Sequence, residues 1–295
     1  MREEIRKIQS LMESAEYVTD APVATSVHLA LSLKKPLLIE GHAGVGKTEV
    51  AKVMARMLET NLIRLQCYEG LDASAALYEW NYQKQLLHIK LRETAPLPVD
   101  QEEHEIFSES FLLKRPLLQA ITQEQSPVLL VDEVDRADEE FEAFMLEVFS
   151  DWQVTIPEIG TIKATHPPHV ILTSNRTREL SDALRRRCLY LWIDYPAFDK
   201  EVAIVQRKVP GVDARLAREV ARFMESLRKV RLAKVPGVAE TLDWAQALAG
   251  LHADHLDESL VFETLGCVLK DADDIKRFRA EVGKAGLAPF LPVSG

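Results

Sequence analysis

The sequence predicts an α/β fold, a parallel sheet covered on both faces by helices and followed by a smaller all-helical region. Three observations predict it. Short apolar runs at Pro36-Leu37-Leu38-Ile39, Val128-Leu129-Leu130-Val131 and His169-Val170-Ile171-Leu172 lack the alternation of a half-exposed strand, as strands buried on both faces do. Segments of helical periodicity separate these runs, the pattern of parallel strands joined by crossover helices. From Asp199 onward only helical periodicity remains, punctuated by Pro210-Gly211 and Pro236-Gly237.

In chain order, Ile5, Ile8, Leu11 and Met12 recur at helical spacing, so residues 3–16 form an amphipathic helix. A second helix follows Pro22. The run ending in Glu40 is a strand, the glycines after it a loop, and Lys47 to Leu58 a helix. Asn61 to Gln66 is a second strand. Helical stretches fill the interval to Val128, including Ile106 to Gln125 with an interruption at Pro116. After a helix from Glu139 to Phe149, alternation on both sides of Pro157-Glu158-Ile159 predicts a hairpin. His169 to Ser174 and Cys188 to Ile193 are the last strands. The boundary is placed near Pro196, giving an α/β domain over 1–196 and a helical domain over 197–295, with a loose tail after Gly283 and no internal repeat.

The chain has 295 residues, room for one large or two modest domains. Hydrophobic residues make up 47% and charged residues 28%, which excludes a disordered, collagen-like or disulfide-scaffold protein. Thirty-six Lys and Arg stand against 46 Asp and Glu, and the net charge of -10 argues against nucleic acid as a partner. Cys67, Cys188 and Cys267 are far apart and odd in number, unlike a disulfide framework or a CxxC site. The charged start Arg2-Glu3-Glu4 lacks a signal-peptide core, and no apolar run approaches the roughly 18 residues of a spanning helix. The reading is a cytoplasmic protein with no membrane span.

Four elements carry the chemistry. Gly41-His42-Ala43-Gly44-Val45-Gly46-Lys47-Thr48 fits G-x-x-x-x-G-K-[ST] between a predicted strand and a predicted helix. Its backbone N–H groups and the helix N-terminus suit phosphates, with Lys47 reaching the β and γ phosphates and Thr48 holding Mg2+. The strand Leu129-Leu130-Val131 ends in Asp132, suited to orient Mg2+, and Glu133, suited to polarise an attacking water. The acidic continuation, Asp135, Asp138, Glu139, Glu140 and Glu142, reads as a solvated helix N-terminus. Asn175 follows the third apolar strand and could reach a γ-phosphate or the water. Arg185, Arg186 and Arg187 diverge by about 100° each on a helix, so all three cannot face one carboxylate and at least one faces a neighbour. An arginine supplied in trans stabilises charge at a γ-phosphate.

These elements, in this order and before a helical domain, resemble the AAA+ ATPases: a P-loop αβα core with a parallel sheet and an all-α lid. Gly41 to Glu49, Glu133-Val134-Asp135-Arg136 and the hairpin before Thr173-Ser174-Asn175 are similar to the MoxR group. Gln66 to Asp72, Glu79-Trp80-Asn81-Tyr82, Phe111 to Leu118 and Leu184 to Pro196 resemble its CoxD branch. The resemblance implies that Gly41, His42, Ala43, Gly44, Val45, Gly46, Lys47, Thr48, Glu49 and Asp132 bind ATP, with Thr48 and Asp132 on Mg2+. It implies Glu133 and Asn175 as catalytic, with Arg187, or Arg186 beside it, as the finger. It further implies a homo-hexamer, a partner with a von Willebrand factor A domain, and a client metalloenzyme of the molybdenum-copper carbon monoxide dehydrogenase type. One departure is that Val238-Ala239-Glu240-Thr241 carries no sensor 2 arginine; Arg231 and Lys234 are the nearby basic residues.

Rival readings are a chelatase-type motor subunit, a nucleotide-gated scaffold with little turnover, and a DNA-acting motor, the last opposed by the net charge. Trp80 and Tyr82 fall where pore-facing loops occur, with core packing as the competing reading. His252 and His255, three apart, read as a solvated helix end rather than a metal site. Trp244 and Leu248 read as core of the helical domain.

Overall fold

The computed structural model describes residues 2–92 and 105–290. The chain opens with helices α1 (Arg2–Ser14) and α2 (Ala21–Leu33), then strand β1 (Leu37–Gly41), helix α3 (Lys47–Met57) and strand β2 (Leu62–Gln66). There follow α4 (Ala73–Leu77), β3 (Tyr78–Trp80), α5 (Tyr82–Arg92), β4 (Leu112–Lys114), α6 (Pro116–Ile121) and β5 (Val128–Asp132). Next come α7 (Glu139–Asp151), β6 (Gln153–Ile156), β7 (Gly160–Lys163), β8 (His169–Ser174), α8 (Asp182–Arg187) and β9 (Leu189–Ile193). Helices α9 (Phe198–Lys208), α10 (Ala214–Leu227), α11 (Val238–Gly250), α12 (Glu258–Thr264) and α13 (Ala272–Ala285) complete the chain, with single-turn 3-10 helices between some elements.

Five strands form one sheet in the order β2-β5-β8-β1-β9, and the β2/β5, β5/β8 and β8/β1 pairs are parallel. Every residue of β1 and β5 is buried, which is why Leu37–Ile39 and Val128–Val131 are unbroken apolar runs. Strand β1 sits between β8 and β9, and the chain leaves it through α3 for the edge strand β2, across β8 and β5. The carboxyl end of such a strand is where open α/β sheets take ligands. The β6/β7 pair is the predicted hairpin. Among the described residues, no helix is long and apolar enough to cross a membrane.

The chain divides into two compact units, one of Met1–Ile8, Ala21–Glu40 and Thr48–Leu191, the other of Gln9–Asp20, Gly41–Lys47 and Trp192–Gly295. The first has a core of sheet and helix residues such as Leu38, Leu129, Val131, Phe141 and Leu172. The second has a helical core centred on Phe223, Trp244, Leu248 and Phe278, in accord with the core reading of Trp244 and Leu248.

Two expectations change. The helix expected over 106–125 is a 3-10 turn at Glu109–Phe111, strand β4 and the short α6, because Leu112-Leu113-Lys114 pairs antiparallel with Tyr78–Trp80. The tail after Gly283 is not loose as far as Phe290: α13 runs on to Ala285, and the Phe290 ring meets Phe278 at 5.2 Å and Phe223 at 5.9 Å. Of the two pore-loop candidates, Trp80 is core, edge-on to Phe107, while Tyr82 is 61% exposed.

Candidate functional site

Strand β1 delivers Gly41 against β9 so closely that a Cβ there would lie 2.1 Å from the Ile193 carbonyl oxygen. Gly44 and Gly46 follow at φ +75° and +92°, a region glycine enters without the Cβ penalty. The loop then turns into α3, whose first residue is Lys47. Its Nζ donates to the carbonyl oxygens of Gly41 at 2.9 Å and His42 at 2.6 Å, which holds the ammonium inside the curl of the loop.

The N-terminus of α11 packs on this loop. Val238 and Ala239 donate their backbone N–H groups to the Gly44 carbonyl at 2.8 and 3.2 Å, and Glu240 accepts from the Gly237 N–H at 2.8 Å. A Cβ on Gly237 would meet the Ala43 carbonyl oxygen at 2.8 Å. Gly237→Ala is therefore expected to push α11 off the loop and lower the thermal unfolding midpoint, by about 1 to 3 kcal/mol of stability. An unchanged midpoint in a melting experiment would show that the contact is unimportant.

No sensor 2 arginine stands at α11, yet an arginine does lie in this part of the molecule. His42 stacks on Tyr195 at 4.8 Å and 8°, and Arg228 lies over the Tyr195 ring at 4.8 Å. Arg228 is engaged by the buried Glu201 at 2.6 and 2.7 Å and by the Pro236 carbonyl at 2.9 Å. Sequence reasoning named Arg231 and Lys234 instead, because the ion pair that fixes Arg228 joins residues 27 positions apart.

The carboxylates gather at the ends of β5 and β8. Asp132 is buried, and its Oδ1 accepts from Thr48 Oγ1 at 3.1 Å and from the Thr173 hydroxyl, while its Oδ2 accepts from Arg64 Nε at 3.0 Å and from the same guanidinium's terminal nitrogen. Glu133 follows in the left-handed region at φ 55°, uncommon for a residue with a side chain, and its N–H donates to Thr173 Oγ1 at 2.9 Å. Its carboxylate accepts from Gln66 Nε2 at 3.1 Å, Arg136 at 3.2 Å and Asn175 Nδ2 at 3.4 Å. Glu133 and Asn175, 42 positions apart, are thus brought within hydrogen-bond distance of one another. Gln66, Arg64 and Thr173 are additions; nothing in their local pattern sets them apart from ordinary strand residues.

The acidic stretch after Glu133 is only partly solvated. Asp135 is buried and accepts from the N–H groups of Asn175 and Thr177 and from the Thr177 hydroxyl, which anchors the segment carrying Asn175. Glu142 is fully buried and takes Arg178 and the Ser181 N–H. Asp138 caps α7 through the Phe141 N–H at 2.8 Å. Burial and the neighbouring Asp132 push the Cys67 thiol up to about 12, so it stays protonated and unreactive at neutral pH.

The three arginines part company. Arg185 donates to both oxygens of the buried Glu40 at 2.9 and 3.0 Å, and Tyr190 donates to the same carboxylate at 3.1 Å. Arg186 is exposed, 3.9 Å from Asp182 one turn away. Arg187 ends α8 exposed, beside Pro36, Leu146 and Phe149, and among the described residues it makes no ion pair. Glu49, near the start of α3, pairs with Lys52 and Arg56 on the helix surface. His252 and His255 belong to no cluster of three metal-ligating side chains among the described residues.

The family model described as the AAA domain, dynein-related subfamily, matches residues 36–188. Uncharacterised proteins of Staphylococcus epidermidis and Staphylococcus haemolyticus are 24% and 25% identical over 217 residues, covering 71% of this chain and 74% of theirs. A RuvB point mutant from Thermotoga maritima superposes with a TM-score of 0.53 at 18% identity, over 92% of this chain and 78% of that one. A second RuvB mutant gives 0.51 at 18% over 92% and 77%. At such identities the likeness speaks for the fold.

Proposed function

We infer the function from one premise: the chain belongs to the AAA domain family, dynein-related subfamily, and is an ATP-hydrolysing enzyme. Within that family it acts as a MoxR-type motor of the CoxD kind, a homo-hexamer in which ATP bound to one subunit is hydrolysed with help from the next. The observation that carries this reading is the division of labour in α8, where Arg185 is spent on Glu40 and Arg187 is left exposed.

The geometry supports the following roles. The loop from Gly41 to Lys47 takes the phosphates with its N–H groups, the Lys47 ammonium exchanging its carbonyl partners for phosphate oxygens. Thr48 and Asp132 are hard oxygen donors 3.1 Å apart, a donor set that fits Mg2+, which binds through one or two protein oxygens besides phosphates and water. Bound there, Mg2+ would neutralise phosphate charge during transfer. Glu133 takes the proton of the attacking water, and Asn175, held by Asp135 and touching Glu133, places that water. Residues 197–295 serve as the lid, whose α11 bears on the loop at Gly44. Lid motion is the product that reshapes a client metalloenzyme of the molybdenum-copper carbon monoxide dehydrogenase type, delivered by a von Willebrand factor A domain partner. Addition of that partner is expected to raise ATPase turnover.

Arg187→Ala is expected to bind ATP normally and lose on the order of a thousandfold in turnover, the lower range for a finger supplied in trans. Mixing it with Lys47→Ala tests the reading directly. Each variant alone is inactive, but in a mixed ring a Lys47→Ala subunit lends its Arg187 to a neighbour with an intact loop, so activity returns. No recovery on mixing, or wild-type turnover in Arg187→Ala, contradicts it.

A further inference from the structure

We propose that Arg64 is a positioning residue for the metal side of the nucleotide site: its guanidinium grips Asp132 by Oδ2 and so leaves Oδ1 turned toward Thr48. The inference rests on the reading of Thr48 and Asp132 as the Mg2+ side of that site.

Arg64 lies on β2, in register with Leu130 of β5, two residues before Asp132. It reaches along the strand pair with two nitrogens, Nε at 3.0 Å and the adjacent terminal nitrogen, both on Oδ2. The other oxygen, Oδ1, receives the Thr48 and Thr173 hydroxyls. The two faces of one carboxylate therefore have separate duties. A buried carboxylate held only at Oδ1 could rotate about its Cβ–Cγ bond; two guanidinium nitrogens on Oδ2, with the hydroxyls on Oδ1, restrain that rotation.

The same guanidinium also donates to Gln66 Oε1, which fixes the orientation of that amide. With its oxygen held by Arg64, Gln66 must present Nε2 outward, and Nε2 donates to Glu133 Oε2 at 3.1 Å. One side chain thus sets both carboxylates at the end of β5, Asp132 directly and Glu133 through Gln66. Lysine has one point charge and no fork, so it could hold one of these acceptors but not both at fixed angles.

Positive charge beside a cation site would also repel Mg2+, and the two effects oppose one another. Burial decides between them. The Arg64 side chain is 53% exposed and its charge is screened by solvent, whereas that of Asp132 is 5% exposed and depends on its protein partners. Loss of the guanidinium therefore weakens the metal site.

The test measures binding of a fluorescent ADP to the full chain, with saturating Mg2+ and with EDTA, for the wild type, Arg64→Met and Arg64→Lys. The wild type is expected to bind more tightly with Mg2+. In Arg64→Met that metal-dependent gain is expected to fall about ten- to a hundredfold, the usual effect of removing a partner behind a metal ligand, while affinity in EDTA is unchanged. Unchanged affinity in EDTA also shows that the variant folds. Arg64→Lys is expected to fall between the two. A gain in Arg64→Met equal to or larger than the wild type's overturns the proposal, and full restoration by Arg64→Lys overturns the role of the fork. If the wild type shows no gain with Mg2+, the assignment of Thr48 and Asp132 fails first and the proposal falls with it.

Discussion

Glu133→Gln binds ATP like the wild type and turns it over about 10²- to 10⁴-fold more slowly, the range for loss of a positioned general base. The amide nearly matches the carboxylate in size, and the role proposed for Glu133 is to accept a proton rather than to hold the phosphates, so binding has no reason to change. What is lost, on the proposed role, is the capacity to accept a proton from water. Binding measured by equilibrium titration and turnover measured by phosphate release separate the two. Lys47→Ala is the complement: it removes the ammonium held within the curl of the loop, and ATP binding itself is lost. Equal loss of ATP binding in both variants would contradict the division of roles.

Arg228→Met destabilises the helical unit by about 3 to 5 kcal/mol, the cost of leaving a buried charge without its partner. Glu201 is fully buried, and both of its oxygens are taken by the Arg228 guanidinium, with the Thr241 hydroxyl sharing one of them. The arginine also holds the Pro236 carbonyl just before α11 and lies over Tyr195, so its loss loosens the segment that bears on Gly44. Denaturant unfolding of the full chain would register the loss in its first transition. The double variant Arg228→Met with Glu201→Gln recovers part of it, because the stranded charge is gone. A loss below about 1 kcal/mol in the single variant would show that the pair is not a structural keystone.

The parts of the fold and site that can be read in the sequence are those fixed by local pattern. Leu37 to Ile39 and Val128 to Val131 announce buried strands, and the spacing of Gly41, Gly44, Gly46 and Lys47 is set by backbone angles and a helix start, all within one turn of chain. Tertiary pairing overrode local pattern elsewhere. Leu112 to Lys114 pairs with Tyr78 to Trp80 although its periodicity suits a helix, and Phe290 is drawn into an aromatic cluster from what looked like a tail. Charge was the hardest to read. Asp135 and Glu142 carry the same letters as their solvated neighbours, but they fold inward to satisfy the N–H groups of the segment around Asn175. Three consecutive arginines look equivalent until Glu40, 145 residues earlier, claims Arg185. Arg64 showed no signal at all, since an arginine on an edge strand usually faces water.

The central claim is that the ATPase site is completed by a neighbouring subunit. Its most direct test is Mg2+-dependent ATP hydrolysis per subunit over a wide range of protein concentration, with Glu133→Gln as the blank. Specific activity that rises with concentration and then saturates is the predicted result. Specific activity above the blank and constant down to concentrations at which the chain is a monomer would contradict it.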